Sequence, residues 1–324
     1  MAGKLTLAVL TLSACGGCDV QIMRALLSRE VADSFEIVYW PFAVEETELP
    51  SEVDVALVNG AVRTEEDLRK LREIRGAARR LIVVGSCAGF SGIAGQADYW
   101  PAEASLRAVY GDEPPRQTTR ILRRAYSPAD LVPVDYIVSR CPPLVSSIVN
   151  ALLVVLGKAS FKTVESTVCS QCPRRIKEIK ELRFRKGMPR DADPETCFLS
   201  QGYLCMGSVT LVGCGAPCTR FGLPCFGCSG PSHEVALRRD SDIVIALARK
   251  IAVLAGLDPV EGAEQVKRML LDTYGPRRFY VFTMGSEVIR TKPNAYAVEA
   301  VAETRLNPSL SEKMIEERRK RLWR

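Results

Sequence analysis

Histidine is almost missing from this chain. Its 324 residues include one, His233, against twelve cysteines. One imidazole cannot supply a run of Cys2His2 zinc sites. Any metal here would be bound almost wholly by thiolate, which leaves structural zinc and iron–sulfur clusters. Long apolar runs are missing as well. The longest are "SSIVNALLVVLG" and "DIVIALARKIAVLAGL". The first is short and the second carries Arg249 and Lys250, so both read as core helices and no membrane span is expected. Excess charge of one sign is small. A net charge of +6 is too little to argue for nucleic acid as a partner. The basic C-terminal run "EKMIEERRKRLWR" carries interleaved acids and reads as a solvated helix face, with a docking surface for an acidic partner as the second reading. A chain of this length can build a core, so it does not need the disulfide framework of a small secreted domain.

What is present is cysteine, beginning with "LTLAVLTLSACGGCDV" at residues 5–20. Two readings compete. A lipoprotein signal would end at Cys15, but it would rest on Lys4 alone and leave Cys18 to chance. A buried first strand over 4–12, delivering Cys15 and Cys18 to its end, uses every residue. The following pattern favours the strand. "DVQIMRALLSREV" (19–31) has helical apolar spacing at Val20, Met23, Leu26 and Leu27. Further strands are expected at "FEIVYW" (35–40), "VDVALVNG" (53–60), "RLIVVGSC" (80–87) and "VDYIVSRC" (134–141). Thr64 should cap the helix "EEDLRKLREIRGA", and Pro142 and Pro143 should start the helix "LVSSIVNALLVVL". This alternation predicts an α/β fold, a doubly wound parallel sheet over residues 1–160 with ligands at the carboxyl ends of its strands. Cys15, Cys18, Cys87 and Cys141 all follow strand ends and can converge on one rim. Glycines flank them in "CGGC" and "CAGFSGIAG". They allow close approach of backbone to a bulky group, and neither stretch matches a nucleotide-binding glycine loop.

From 161 to 232 the texture becomes rich in glycine, proline and cysteine. Eight thiols follow: Cys169, Cys172, Cys197, Cys205, Cys214, Cys218, Cys225 and Cys228. In chain order they split into two sets of four, and an interleaved split stays open. Two zinc ribbons would fit this segment taken alone. Three sets of four with none left over fit three 4Fe-4S clusters. The stretch "RRIKEIKELRFRKGMPRD" predicts a helix and then a loop, and its Arg174, Arg175, Lys177 and Lys180 offer a basic face. His233 reads as a helix-capping residue, with a hydrogen bond to a sulfide near Cys228 as the alternative. Residues 233–324 read as a helical extension holding the packing helix "SDIVIALARKIAVLAGL" and a late strand "RRFYVFTM".

"CGGC", "GSCAGFSGIAG" and "RCPP", in that order, resemble the motifs around the proximal cluster of nickel–iron hydrogenase small subunits, and the resemblance extends to about residue 232. It implies a flavodoxin-like domain with the proximal cluster on Cys15, Cys18, Cys87 and Cys141. A cysteine-rich, mostly irregular or helical domain would then carry a distal cluster on Cys169, Cys172, Cys197 and Cys205 and a medial one on Cys214, Cys218, Cys225 and Cys228. The chain departs from the family in three places. Cys169 stands where many members have histidine. Four cysteines stand at the medial site where many have three and a proline. Val20, beside Asp19, replaces a glutamate to which a proton-path role is attached. The first two departures resemble the cytoplasmic, viologen-reducing, heterodisulfide-reductase-linked type. Deazaflavin-reducing and NAD(P)-linked types are close cousins. The resemblance implies a non-catalytic electron-transfer subunit. It would partner a large subunit carrying the nickel–iron centre and an acceptor subunit that is an iron–sulfur or flavin protein. A nickel-free hydrogenase-like subunit and a quinone-reductase-type subunit are the alternatives.

Overall fold

The computed structural model describes residues 3–286 apart from 113–115, 117, 118, 161–164 and 238–241. The expected C-terminal basic helix lies outside the described residues.

Five parallel strands form the main sheet: β1 (Leu5–Thr11), β2 (Phe35–Tyr39), β3 (Val53–Asn59), β5 (Ala78–Val84) and β7 (Tyr136–Val138). Their order is β2-β1-β3-β5-β7, the flavodoxin-like arrangement, with its switch point between β1 and β3. The opening apolar run is thus a central strand. Period-two alternation sends its side chains to both faces. Leu7 and Val9 pack with Ile22 and Ala25 of α1 (Gly17–Leu26) and Ile148 and Leu152 of α6 (Val145–Val155). Ala8 and Leu10 pack on the other face with Leu71 and Ile74 of α2 (Glu65–Ala77) and Ala88 of α3 (Ser86–Phe90). Thr64 caps α2 through a reciprocal box with Asp67, as its sequence predicts. A two-stranded antiparallel ribbon of β4 (Val62–Thr64) and β6 (Ile121–Tyr126), with α4 (Ala102–Tyr110) and α5 (Pro128–Leu131), decorates this layer and has no clear periodic signal.

Two strands end sooner than their apolar runs. Cys87 belongs to α3 and not to β5, because Gly85 turns the chain with φ 89°. The last strand stops at Val138, since Arg140 takes φ 93°. Both prolines then lie in the turn, and α6 starts only at Val145 with Leu144 at its cap.

The cysteine-rich segment is mostly irregular. It contains α7 (Pro217–Arg220) and leads to α8 (His233–Leu237), α9 (Ile243–Leu254) and α10 (Glu261–Tyr274). His233 is the first residue of α8. Phe198, Leu204, Met206 and Val209 share one core with Leu247 and Ile251 of α9 and Leu270 of α10. The helix predicted after Arg174 does not form. Ile179 is buried and its N–H donates to Leu254 O at 2.8 Å, while Arg175 and Arg185 bridge to Thr196 and Tyr203. Backbone groups spent on these partners are not available to a helix. The expected strand "RRFYVFTM" is also absent: a 3-10 turn at Pro276–Arg278 leads into further turns that bury Phe279, Tyr280 and Met284 singly.

Candidate metal centres

None of the twelve cysteines is in a disulfide. The first four stand at the carboxyl rim of the sheet. Cys15 is in the loop after β1, Cys18 in the first turn of α1, Cys87 in the first turn of α3, and Cys141 just beyond β7. Burial pushes the Cys18 thiol up to about 12, and its neighbours Cys87, Cys141 and Cys15 and the Asp19 carboxylate push the same way. Burial, then Cys87, Cys15 and Cys228, raises Cys141 to about 11. Burial also raises Cys87, against the backbone N–H groups of Ala94 and Ile93.

The other eight lie in the cysteine-rich segment. Burial raises Cys169 to about 11, with Cys197 and Cys172 adding to it. Burial lifts Cys205 well above the ordinary thiol range, and Cys225 and Cys197 contribute. Burial raises Cys225 to about 12, with Cys228 and Cys214 as its raising neighbours. Burial, Cys228 and Cys214 raise Cys218, while the Arg140 guanidinium opposes them. Electrostatic influence runs on through the segment: Cys228 helps raise Cys141, and Cys225 helps raise Cys205. The Cys225 N–H donates to Cys205 Sγ at 3.3 Å. Cys225 and Cys228 therefore lie between the first four thiols and Cys205.

Backbone and small side chains shape the first site. A Cβ on Gly85 would overlap Cys18 Sγ, and one on Gly92 would come within 2.7 Å of Cys87 Sγ. Only glycine leaves both thiols free to face a bound group. Ser86, 1% exposed, accepts from Arg140 N at 3.1 Å and donates to the Cys228 carbonyl. One hydroxyl thus ties the Cys87 turn to the Cys141 loop and to the neighbouring set. Asp19, also buried, accepts through Oδ1 from Thr11 Oγ1 (2.6 Å), Trp40 Nε1 (3.2 Å) and Asn59 Nδ2 (3.1 Å). This network fixes the start of α1 beside Cys18.

The thiols fit a multi-iron group. Packed thiols with no cation among them resist ionising, which is what every resolved shift above shows; a metal's charge reverses that balance. Among the described residues no three His, Cys, Asp or Glu side chains converge closely enough for one metal ion. Zinc would draw four sulfurs to about 2.3 Å from a single point. Cys169, Cys172, Cys197 and Cys205 instead line one shared cavity from separate positions.

Three residues escape sequence reasoning. Ser86 and Cys228 are far apart in the chain, and nothing local pairs them. Arg174 sits in a basic run but is buried, so the basic face consists of Arg175, Lys177 and Lys180 without it. Ser208 lines the cavity with no partner for its hydroxyl.

Residues 15–155 match the family described as NADH ubiquinone oxidoreductase, 20 Kd subunit. A subunit of the F420-non-reducing hydrogenase vhu of Methanocaldococcus jannaschii is 34% identical over 245 residues, which cover 71% of this chain and 84% of that protein. The iron-sulfur subunit of the F420-non-reducing hydrogenase of Archaeoglobus profundus is 30% identical over 291 residues, covering 75% and 88%. The delta subunit of sulfhydrogenase 2 of Pyrococcus furiosus is 29% identical over 234 residues, covering 71% and 88%. Among solved structures, an NAD+-reducing [NiFe]-hydrogenase in the H2-reduced state aligns at 26% identity over 49% of this chain and 96% of that one, with a TM-score of 0.45.

Proposed function

The chain belongs to the hydrogenase small-subunit family that includes these subunits of F420-non-reducing hydrogenases, and on that premise we propose that it relays electrons between a large subunit's nickel–iron centre and a soluble acceptor module by means of three 4Fe-4S clusters. The clusters, when bound, supply one-electron transfer. Cys15, Cys18, Cys87 and Cys141 hold the first. Cys214, Cys218, Cys225 and Cys228 hold the second, and Cys169, Cys172, Cys197 and Cys205 the third. The observation that carries this reading is the linear order of the sets: the Cys87 turn is tied through Ser86 to the Cys228 carbonyl at one end of the middle set, and Cys225 N–H donates to Cys205 Sγ at 3.3 Å at the other. A relay needs such a row, and three unrelated structural metals do not.

The protein's own groups then do defined work. Gly85 and Gly92 keep the first site open. The Asp19 network holds Cys18. Ser86 fixes the spacing between the first and middle sets. Backbone N–H groups donate to sulfur at Cys205 and, from Ala216 at 3.4 Å, at Cys214, which favours charge on those sulfurs. The subunit works in the cytoplasm beside its large subunit and an iron–sulfur or flavin acceptor subunit.

The test is anaerobic purification with native partners, followed by counting iron, acid-labile sulfide, zinc and nickel. About twelve irons per chain with equal sulfide, plus nickel when the large subunit co-purifies, support the proposal. Two or three zincs without sulfide end it. The family description covering residues 15–155 also suits a quinone-reductase-type or nickel-free subunit; iron without nickel in the intact complex would select that reading.

A further inference from the structure

The cavity bounded by Cys169, Cys172, Cys197 and Cys205 is lined by two further residues whose polar groups thiol ligation leaves unexplained. The first is the guanidinium of Arg174, which is 9% exposed. Its Nε donates to Thr219 O at 3.1 Å, and Nη1 donates to Asp193 O at 2.7 Å and Thr196 O at 3.0 Å. Its flat face lies 3.9 Å from the centre of the Phe198 ring. Three carbonyls and an aromatic face hold the group in one orientation. None of them neutralises it, and among the described residues no carboxylate pairs with it. Asp193, whose carbonyl it uses, turns its carboxylate to Thr196 Oγ1 and to Lys177 Nζ. Arginine does not shed its proton to escape burial. A fixed charge held in a poorly polarisable interior without a counter-charge is strongly unfavourable. The second is the hydroxyl of Ser208, a residue of the same cavity wall, which is buried and has no hydrogen-bond partner. An anionic body with acceptor sulfurs on its surface satisfies both.

We propose that Arg174 is the fixed counter-charge, and Ser208 the hydrogen-bond donor, of the iron–sulfur group held by Cys169, Cys172, Cys197 and Cys205, and that together they make this set the preferred resting place of the electron before it leaves the chain. The inference rests on the cluster reading above. One electron arrives from the middle set and one leaves to the acceptor. No bond or proton changes at Arg174 or Ser208. An added electron makes the bound group more negative, so a positive charge and a donor at fixed positions stabilise the reduced form and raise its potential. Arg174 suits this task because Thr219, one of its anchors, follows Cys218 of the middle set. Its position is therefore fixed relative to both sets at once.

The test uses the intact hydrogenase complex, poised at a series of potentials and read by electron paramagnetic resonance, with iron and sulfide counted on every sample. In R174Q with full iron, the midpoint of one cluster signal should fall by at least 59 mV, a tenfold change for a one-electron couple. S208A should move the same signal in the same direction by less. R174K keeps the charge and should stay near the unsubstituted value. R174Q with full iron and an unmoved midpoint would overturn the proposal. Should R174Q lose iron, R174K decides. Full iron with an unchanged midpoint supports the counter-charge, and full iron with a lowered midpoint overturns it. Should both lose iron, S208A decides by whether its midpoint falls or stays. The iron and sulfide of the unsubstituted protein report on the cluster reading alone, so failure of that reading is distinguishable from failure of this one.

Discussion

Ser86 donates its hydroxyl proton to the carbonyl of Cys228. The contact joins the sheet domain to the cysteine-rich segment at the point where two thiol sets meet. The same oxygen accepts from Arg140 N. Ser86→Ala strands both buried partners, at a cost of about 1–3 kcal/mol for each group left unpaired. Chemical denaturation of the intact protein should show a loss of at least the lower figure. Stability equal to that of the unsubstituted chain would mean the tie carries nothing.

Gly85 and Gly157 separate backbone strain from blockage. Both have positive φ, 89° and 67°, but a Cβ at Gly157 meets nothing within 4 Å while one at Gly85 overlaps Cys18 Sγ. Gly157→Ala should cost only the roughly 1–2 kcal/mol of a left-handed residue and keep all iron. Gly85→Ala should lose about four irons as well. Equal iron in the two variants would refute the cradle.

Grouping of the last eight cysteines is open to a counting experiment. C169S and C205S should each remove the same four irons or so, and the double variant should remove no more. C205S combined with C225S should remove about twice as many. The reverse pattern would show that the sets interleave.

Iron retention should depend on pH in a direction the thiols fix. Burial holds Cys18 and Cys225 up to about 12 and Cys141 and Cys169 to about 11. Below those values each thiol of the iron-free fold carries a proton that metal must displace. Affinity therefore rises with pH and goes on rising past 9, where ordinary thiols would level off. The sign for the iron-free fold is opposite. Its protonated thiols contribute stability fully below pH 9 and lose it as pH climbs through 11 to 12. Competition with a fixed concentration of chelator, repeated from pH 7 to 10, measures the first slope. A flat profile would contradict it.

Arg175 and Lys180 are exposed near the set proposed to face the acceptor. Reversing both to Glu should slow acceptor reduction severalfold at low salt, with the difference shrinking as salt screens it. An unchanged rate and salt slope would remove the steering role.

Much of this was legible in residue order, for physical reasons. The strands of the sheet are β-branched runs buried on two faces, and the cysteines at their ends are visible because a parallel sheet places its loops there. Thr64 and Asp67 announce their helix locally. The failures are equally specific. Ile176, Ile179 and Leu182 have helical spacing, yet Ile176 is 59% exposed and the Ile179 N–H goes to Leu254. Arg174 looks like its exposed neighbour Arg175, and only partners distant in sequence, Asp193, Thr196, Phe198 and Thr219, distinguish them. Tertiary partners decided these elements, and a local window holds no record of tertiary partners.

The shared core around α9 sets an order in time. The last cysteine, Cys228, leaves the ribosome before α9 and α10 exist, and both later thiol sets lean on those helices and the turns after them: Ile179 bonds to Leu254, Tyr274 Oη donates to Arg185 O at 2.7 Å, and Arg278 stacks 4.2 Å from the Phe226 ring. Gln96 of the sheet layer reaches Tyr280 O at 2.9 Å. A nascent chain therefore presents eight unsheltered thiols until residue 280 or so has emerged. The thiols at the sheet rim can be sheltered first, and those of the later segment only once α9, α10 and the turns as far as Tyr280 have been made.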